Sequence, residues 1–188
     1  MDDALARAER ALRAGRLVVY PTDTLFGLGA RASDRRAVGA LIALKGRAPD
    51  QPIGIAVSSV EEIEPWASIA GPARQFLRTR LPGPFTALLA PSPAARRAFP
   101  AAVAGGARIG VRVPDHPLAR ELARRVGPIT ATSANRHGAP PPSTVAAARR
   151  AFGPAVAVYL DGPPRPTGTG STLVDLTGPS PRPVPRGA

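Results

Sequence analysis

Short apolar runs, set off by Gly, Pro and small polar residues, alternate along this chain with stretches whose apolar positions recur every three or four residues. Leu5, Ala8, Ala11 and Leu12 form a helical stripe from Asp2 to Ala14, with acids at its start and Gly15 as a stop. Leu17 to Tyr20 predicts a short buried strand, which runs into the polar turn Pro21-Thr22-Asp23-Thr24 and then Leu25 to Ala30. Ser33 is placed to cap a helix from Asp34 to about Leu44, which delivers Lys45-Gly46-Arg47 at its C-terminal end. Ile53 to Val57 predicts a strand. Ser59 predicts a cap for a short helix with Glu61 and Glu62 in its first turn, where the helix dipole favours acids.

Pro72 to Arg80 predicts another amphipathic helix, Leu81-Pro82-Gly83-Pro84 a rigid turn, and Phe85 to Ala90 a strand. Residues 91–107 are rich in Ala, Pro and Gly and carry no clear period. Arg108 to Val113 alternates, with Arg108 and Arg112 on one strand face and Ile109, Val111 and Val113 on the other. Asp115 predicts a helix cap with Pro117 in the first turn, and Gly127 ends that helix. Ile129 to Thr132 predicts a strand emptying into Ser133-Ala134-Asn135. Ser143 to Phe152 predicts a helix, Ala155 to Leu160 and Ser171 to Leu176 two strands, and Gly178 to Ala188 an extended, Pro-rich tail. Strands alternate with helices, so the class is α/β. No repeat or linker divides the chain, so 1–188 reads as one domain.

At 188 residues and 44% hydrophobic, the chain is long enough for a substantial core. Its 19 Gly and 24 Pro punctuate the apolar runs and read as turns. Without cysteine there is no disulfide framework, thiol nucleophile or cysteine-ligated zinc. The acidic start leads into a polar helix and not a secretory signal, and no apolar stretch is long enough to span a bilayer. A cytoplasmic protein with no membrane partner is expected. The formal charge of +12 favours anionic partners, nucleotides or RNA or both.

One of the 25 basic residues, Lys45, is a lysine and the rest are arginines. It is either a leftover of composition or a position that needs a compact ammonium on a flexible stem, as a phosphate contact often does. Four polar clusters lie beyond predicted strands or at a helix end: Thr22-Asp23-Thr24, Lys45-Gly46-Arg47, Ser133-Ala134-Asn135 and Gly168-Thr169-Gly170-Ser171-Thr172. Ligands of open α/β sheets bind outside strand ends, so these clusters can converge on one crevice, although each also reads as a plain turn, cap or loop. There is no Walker loop, no dinucleotide fingerprint and no nucleophile elbow. His116 and His137 have no partners at metal-ligand spacing, so no protein-held metal is expected. Hydroxyls, amides and cations remain, a set suited to chemistry in which the substrates supply the reactive groups.

Six runs, in order, resemble one family: Tyr20-Pro21-Thr22-Asp23-Thr24-Leu25-Phe26-Gly27-Leu28-Gly29, Lys45-Gly46-Arg47, Pro82-Gly83-Pro84-Phe85-Thr86, Val111-Arg112-Val113-Pro114, Thr132-Ser133-Ala134-Asn135 and Ser171-Thr172-Leu173-Val174-Asp175. The chain resembles the YrdC-like threonylcarbamoyl-AMP synthases, in their short form. The resemblance implies a twisted, open mixed α/β sheet with flanking helices and a concave, positively charged cavity. It also implies a reaction in which L-threonine, bicarbonate or CO2, and ATP give threonylcarbamoyl-AMP and pyrophosphate. The product would serve a threonylcarbamoyl transferase complex that modifies tRNA. On this resemblance Lys45 and Arg47 act on the ATP phosphates with Mg2+, and Arg108, Ser133, Asn135 and Arg186 complete the ATP site. Thr24, Arg112, Ala131 and Ser171 form the threonine site, with Arg112 gripping the carboxylate through two parallel bonds.

Three positions depart from the family pattern. Phe26 stands where a Tyr is frequent, Ala48 replaces a proline, and Pro141 falls where a serine is expected at ATP. With its end at Ala188 the chain is expected to be the short form, without the extra domain of longer relatives, and with no cysteines it is not expected to be the zinc-finger-bearing hydrogenase maturation protein that contains this module. The alternative is an RNA-binding paralogue of the same fold, whose basic cavity holds tRNA or double-stranded RNA without making an adenylate.

Overall fold

The computed structural model describes residues 2–185. In chain order it forms α1 (Asp2–Arg13), β1 (Val18–Tyr20), β2 (Gly27–Gly29), α2 (Arg35–Lys45) and β3 (Gly54–Ala56). A 3-10 turn at Glu61–Ile63 leads to β4 (Ala67–Ser68), α3 (Gly71–Arg80), β5 (Phe85–Pro91), α4 (Pro93–Ala98), α5 (Ala101–Ala104), β6 (Ile109–Arg112) and α6 (Pro117–Val126). The chain closes with β7 (Ile129–Ser133), α7 (Val145–Phe152), a 3-10 turn at Gly153–Ala155, β8 (Val158–Tyr159), β9 (Thr172–Asp175) and β10 (Arg182–Val184).

Among the described residues the strands join one mixed sheet in the order β10-β9-β5-β6-β3-β7-β2-β1-β8, with β4 on β5. The α/β class and the open mixed sheet are as the sequence predicts. On one face Val19, Leu28, Ile55 and Val111 meet Val38 and Leu41 of α2 and Leu77 of α3. On the other, Val18, Tyr20 and Ala56 pack under Leu5 and Leu12 of α1 and Leu118 and Leu122 of α6. Strand alternation sends neighbouring residues to opposite layers, so β6 buries Ile109 and Val111 while turning Gly110 and Arg112 the other way. No helix among the described residues is long and apolar enough to cross a membrane.

Several boundaries differ from the sequence expectation, each for a local reason. The cap of α2 is Asp34, not Ser33: its carboxylate accepts the amides of Arg36 and Ala37, both at 3.0 Å. The cap of α6 is His116, not Asp115. Pro117 offers no amide, so the imidazole Nδ1 accepts from Leu118 at 3.2 Å. The segment after Ser59 is a single 3-10 turn without a side-chain cap bond at its Val60 cap. Thr144 caps α7, which therefore starts at Val145. The patternless stretch 91–107 holds α4 and α5, the first capped by Ser92 and both opened by proline. Part of the tail is sheet, since Arg182–Val184 pairs antiparallel with Leu173–Asp175.

The cap assignment is testable by urea denaturation. Asp34→Ala should lose about 1 kcal/mol of stability while Ser33→Ala stays within about 0.5 kcal/mol of wild type. An equal loss in both would return the cap to Ser33.

Candidate active site

On the face that α1 and α6 cover, the sheet beyond those helices is open and forms a cavity of about 520 Å³, a size suited to a small-molecule ligand. Its floor is bare of side chains where Gly27, Gly54 and Gly110 line it. A Cβ on Gly54 would come within 3.0 Å of the Gly110 carbonyl oxygen, and one on Gly27 within 2.7 Å of the Tyr20 ring. Tyr20 is itself fixed from below, its hydroxyl donating to the Thr130 carbonyl at 2.9 Å.

Strand register gives the cavity two ends. Arg108, just before β6, and Arg112, at its end, are four residues apart and both line the cavity, so their Cα atoms are separated by about 13 Å. At the Arg112 end, the β5–β6 pairing places Thr86 opposite Arg112, and the Thr86 and Ser171 hydroxyls share a hydrogen bond of 2.7 Å. The buried guanidinium donates from Nη1 to Thr24 Oγ1 at 2.9 Å and from Nη2 to Asp23 Oδ1 at 2.6 Å. Thr22 builds the turn that aims these partners, its hydroxyl oxygen accepting the Thr24 and Leu25 amides, each at 3.1 Å.

At the other end, the β3–β6 and β3–β7 registers run Pro52 alongside both Arg108 and Ser133. Arg47 reaches the same place and donates from Nη2 to the Pro52 carbonyl at 2.7 Å. Its Nε is buried without a partner, and burial pulls its pKa below the usual arginine value. The buried Gln51 Oε1 lacks a partner too. Arg108 pairs with Asp175 at 2.9 Å, and the pKa of Asp175 is in turn lowered from its ordinary value, first by the Thr177 hydroxyl.

Lys45 lies behind this end and not on the cavity wall. Its ammonium donates to the carbonyls of Ser133 and Asn135, both at 2.6 Å, and its own carbonyl accepts the His137 amide at 2.7 Å. The helix C-terminus therefore clamps the loop that leaves β7. Burial, then the neighbouring Arg47 charge, pull the ammonium down to about 8, so at neutral pH it is still mostly protonated. Asn135 also stays off the wall, its Nδ2 bridging the carbonyls of Arg136 and Ala139.

Of the residues singled out from sequence, Thr24, Arg47, Arg108, Arg112, Ala131, Ser133 and Ser171 line the cavity together. Lys45 and Asn135 shape the loop behind it, and Arg186 falls outside the described residues. Phe26 is on the wall with its ring in the core, whereas Pro141 is exposed and off the wall. The lining includes three arginines and, among the described residues, no carboxylate, but Asp23 and Asp175 pair with two of those arginines. Sequence reasoning did not select Thr86, Gln51 or His137. Thr86 was within reach, since it closes the run Pro82-Gly83-Pro84-Phe85-Thr86 and alternates onto the open face of β5. Gln51, in a turn, carried no such signal.

Residues 10–187 match the Sua5/YciO/YrdC family, described as telomere recombination, and the chain belongs to that family. A putative threonylcarbamoyl-AMP synthase of Mycobacterium tuberculosis strain CDC 1551 is 43% identical over 179 residues, which cover 95% of this chain and 81% of that protein. The threonylcarbamoyl-AMP synthase of Chromohalobacter salexigens is 40% identical over 176 residues, 93% of either chain. The Pyrococcus abyssi Sua5 structure, complexed with L-threonine, superposes with a TM-score of 0.86 at 33% identity, covering 94% of this chain and 52% of that one. Escherichia coli YciO shares the fold with a TM-score of 0.86 at 22% identity.

Lys45 is the chain's single lysine, so NMR on protein labelled at lysine reports it without overlap. Its ε-CH2 resonance should titrate with a midpoint near 8 in the native state, against 10.5 for an ordinary lysine. Between those values the unfolded chain binds the proton more tightly, so native stability rises with pH across that window. A midpoint near 10.5 would remove the desolvated clamp.

Proposed function

We propose that this chain is an L-threonylcarbamoyladenylate synthase, a nucleotidyltransferase that makes threonylcarbamoyl-AMP and pyrophosphate from L-threonine, bicarbonate or CO2, and ATP. The observation that carries the reading is the two-ended cavity, with arginines and hydroxyls at both ends and glycines in the floor between them. The carbamate of threonine supplies the nucleophile. One of its oxygens bonds to the α-phosphorus of ATP, the bond from that phosphorus to the β-bridging oxygen breaks, and pyrophosphate leaves with the electron pair. Positioning and charge neutralisation carry such a step.

In this reading Arg112, aimed by Asp23 and Thr24, meets the threonine carboxylate. The paired hydroxyls of Thr86 and Ser171 and the backbone at Ala131 flank the amino acid. Arg47, Arg108 and Ser133 face the triphosphate, and Lys45 and Asn135 hold the loop that presents Ser133. Among the described residues no group of three His, Cys, Asp or Glu is placed to hold a metal, so Mg2+ enters with ATP as part of the substrate. The product passes to a threonylcarbamoyl transferase complex acting on tRNA, which sets the protein in the cytoplasm. The Pyrococcus relative complexed with L-threonine supports the amino-acid end, and the names of the two bacterial relatives support the reaction.

Pyrophosphate release tests this directly. Release should require both L-threonine and bicarbonate, and Arg112→Lys, which keeps the charge but loses the fork, should raise KM for threonine roughly ten- to a hundredfold. ATP-independent RNA binding with no threonine-dependent release would overturn the synthase in favour of an RNA-binding paralogue.

A further inference from the structure

His116 is fully buried, yet it lies outside the cavity, four residues past Arg112. Its Nδ1 accepts the Leu118 amide, which places the ring proton on Nε2. Nε2 then donates to the Pro164 carbonyl at 3.0 Å. Pro164 belongs to the loop 161–170 that carries the chain from β8 to Ser171. The same loop docks again on the threonine end: the Thr167 amide donates to the Asp23 carbonyl at 3.1 Å and the Gly168 amide to the Thr24 carbonyl at 2.9 Å. Asp23 and Thr24 are the two partners of Arg112. One ring thus ties the start of α6 to the loop that braces the Arg112 partners and ends in Ser171.

We propose that His116 is a positioning residue for threonine: by holding loop 161–170 it fixes Asp23, Thr24 and Ser171 around the Arg112 end. This rests on the synthase reading of that end. The groups facing the ring are the Asp23 and Asp115 carboxylates, the carbonyls of Gly162 and Pro164, and the Leu118 amide. Burial outweighs them and holds the imidazole pKa below its ordinary value, so the ring is neutral in the working protein. Protonation would turn Nδ1 into a donor facing the Leu118 N–H, and that repulsion would push the ring off its place between the start of α6 and the Pro164 carbonyl.

The test uses His116→Asn, which retains an acceptor for the Leu118 amide, as a good helix cap, but is too short to reach Pro164. L-Threonine and ATP binding are measured separately by calorimetry on the full chain. The threonine Kd should rise roughly two- to tenfold, as for one lost hydrogen bond, with the ATP Kd unchanged. Equal weakening of both ligands, or of neither, overturns the proposal. A pH series on the wild type reads the same contact without a mutation and stands alone should the variant misfold. Threonine affinity should hold at neutral pH and fall once pH drops below 6.5 to the lower value at which the native ring takes its proton, and wild-type affinity that stays flat through that range also overturns the proposal. Wild-type protein that binds no threonine at any pH removes the synthase reading and this inference with it. Threonine binding that His116→Asn leaves intact removes the inference alone.

Discussion

Positive charge brought under a sheet must be met by acceptors, and this constraint orders the site. Desolvating a cation without partners costs several kcal/mol. The chain answers differently at each position: Asp23 and Thr24 for Arg112, Asp175 for Arg108, the Pro52 carbonyl for Arg47, and two backbone carbonyls for Lys45. All but the Arg47 contact, which stays within the connection between α2 and β3, also tie two elements together. The Lys45 clamp joins the end of α2 to the exit of β7, and the Arg112 pair joins β6 to the turn after β1. The site and the framework that holds it are therefore stabilised by the same contacts.

This explains why a chain with one lysine puts it at position 45. Two carbonyls on one loop present convergent acceptors at 2.6 Å, which suit a compact ammonium with rotatable donors. A planar guanidinium is broader and fixed in its fork. The carboxylates of Asp23 and Asp175 are each met by an arginine. Composition alone left Lys45 open between a leftover and a phosphate contact. Its carbonyl partners lie almost ninety residues away in sequence, so no local pattern exposes the clamp.

The fold was legible wherever periodicity was strong. The α1 stripe, the β6 alternation and the α6 pattern all appear close to where the sequence places them. Boundaries shifted where a side chain one residue away had better geometry, as with Asp34 over Ser33 and His116 over Asp115. What could not be read locally was set by pairing across long separations. β2 gains its identity from Tyr20 lying over Gly27 and Gly29, and β10 from its register on β9. The same limit applied to the site. Clusters were visible, but sorting them into two ends needed the β3–β6–β7 register, and Gln51 had only its position in space to mark it.

The pairing of cavity arginines with carboxylates has a consequence for how anions are received. A bare arginine in a dry cleft would bind any anion strongly and release it slowly. Arg108, about half exposed and paired with a largely buried Asp175, is instead already partly neutralised. In the proposed reaction an incoming phosphate must share that arginine, which lowers ground-state binding relative to a site of unpaired cations. Charge that develops later, as pyrophosphate separates, can draw the guanidinium further from its carboxylate. A site built this way favours the more highly charged departing group over the resting substrate, the direction that speeds a group transfer needing no protein nucleophile. Arg47, whose buried Nε has no carboxylate to share, is the complementary case: an acceptor delivered by the ligand would satisfy it on arrival. In the proposed reaction the two arginines divide the labour, Arg47 for holding the nucleotide and Arg108 for answering charge that appears as the bond breaks.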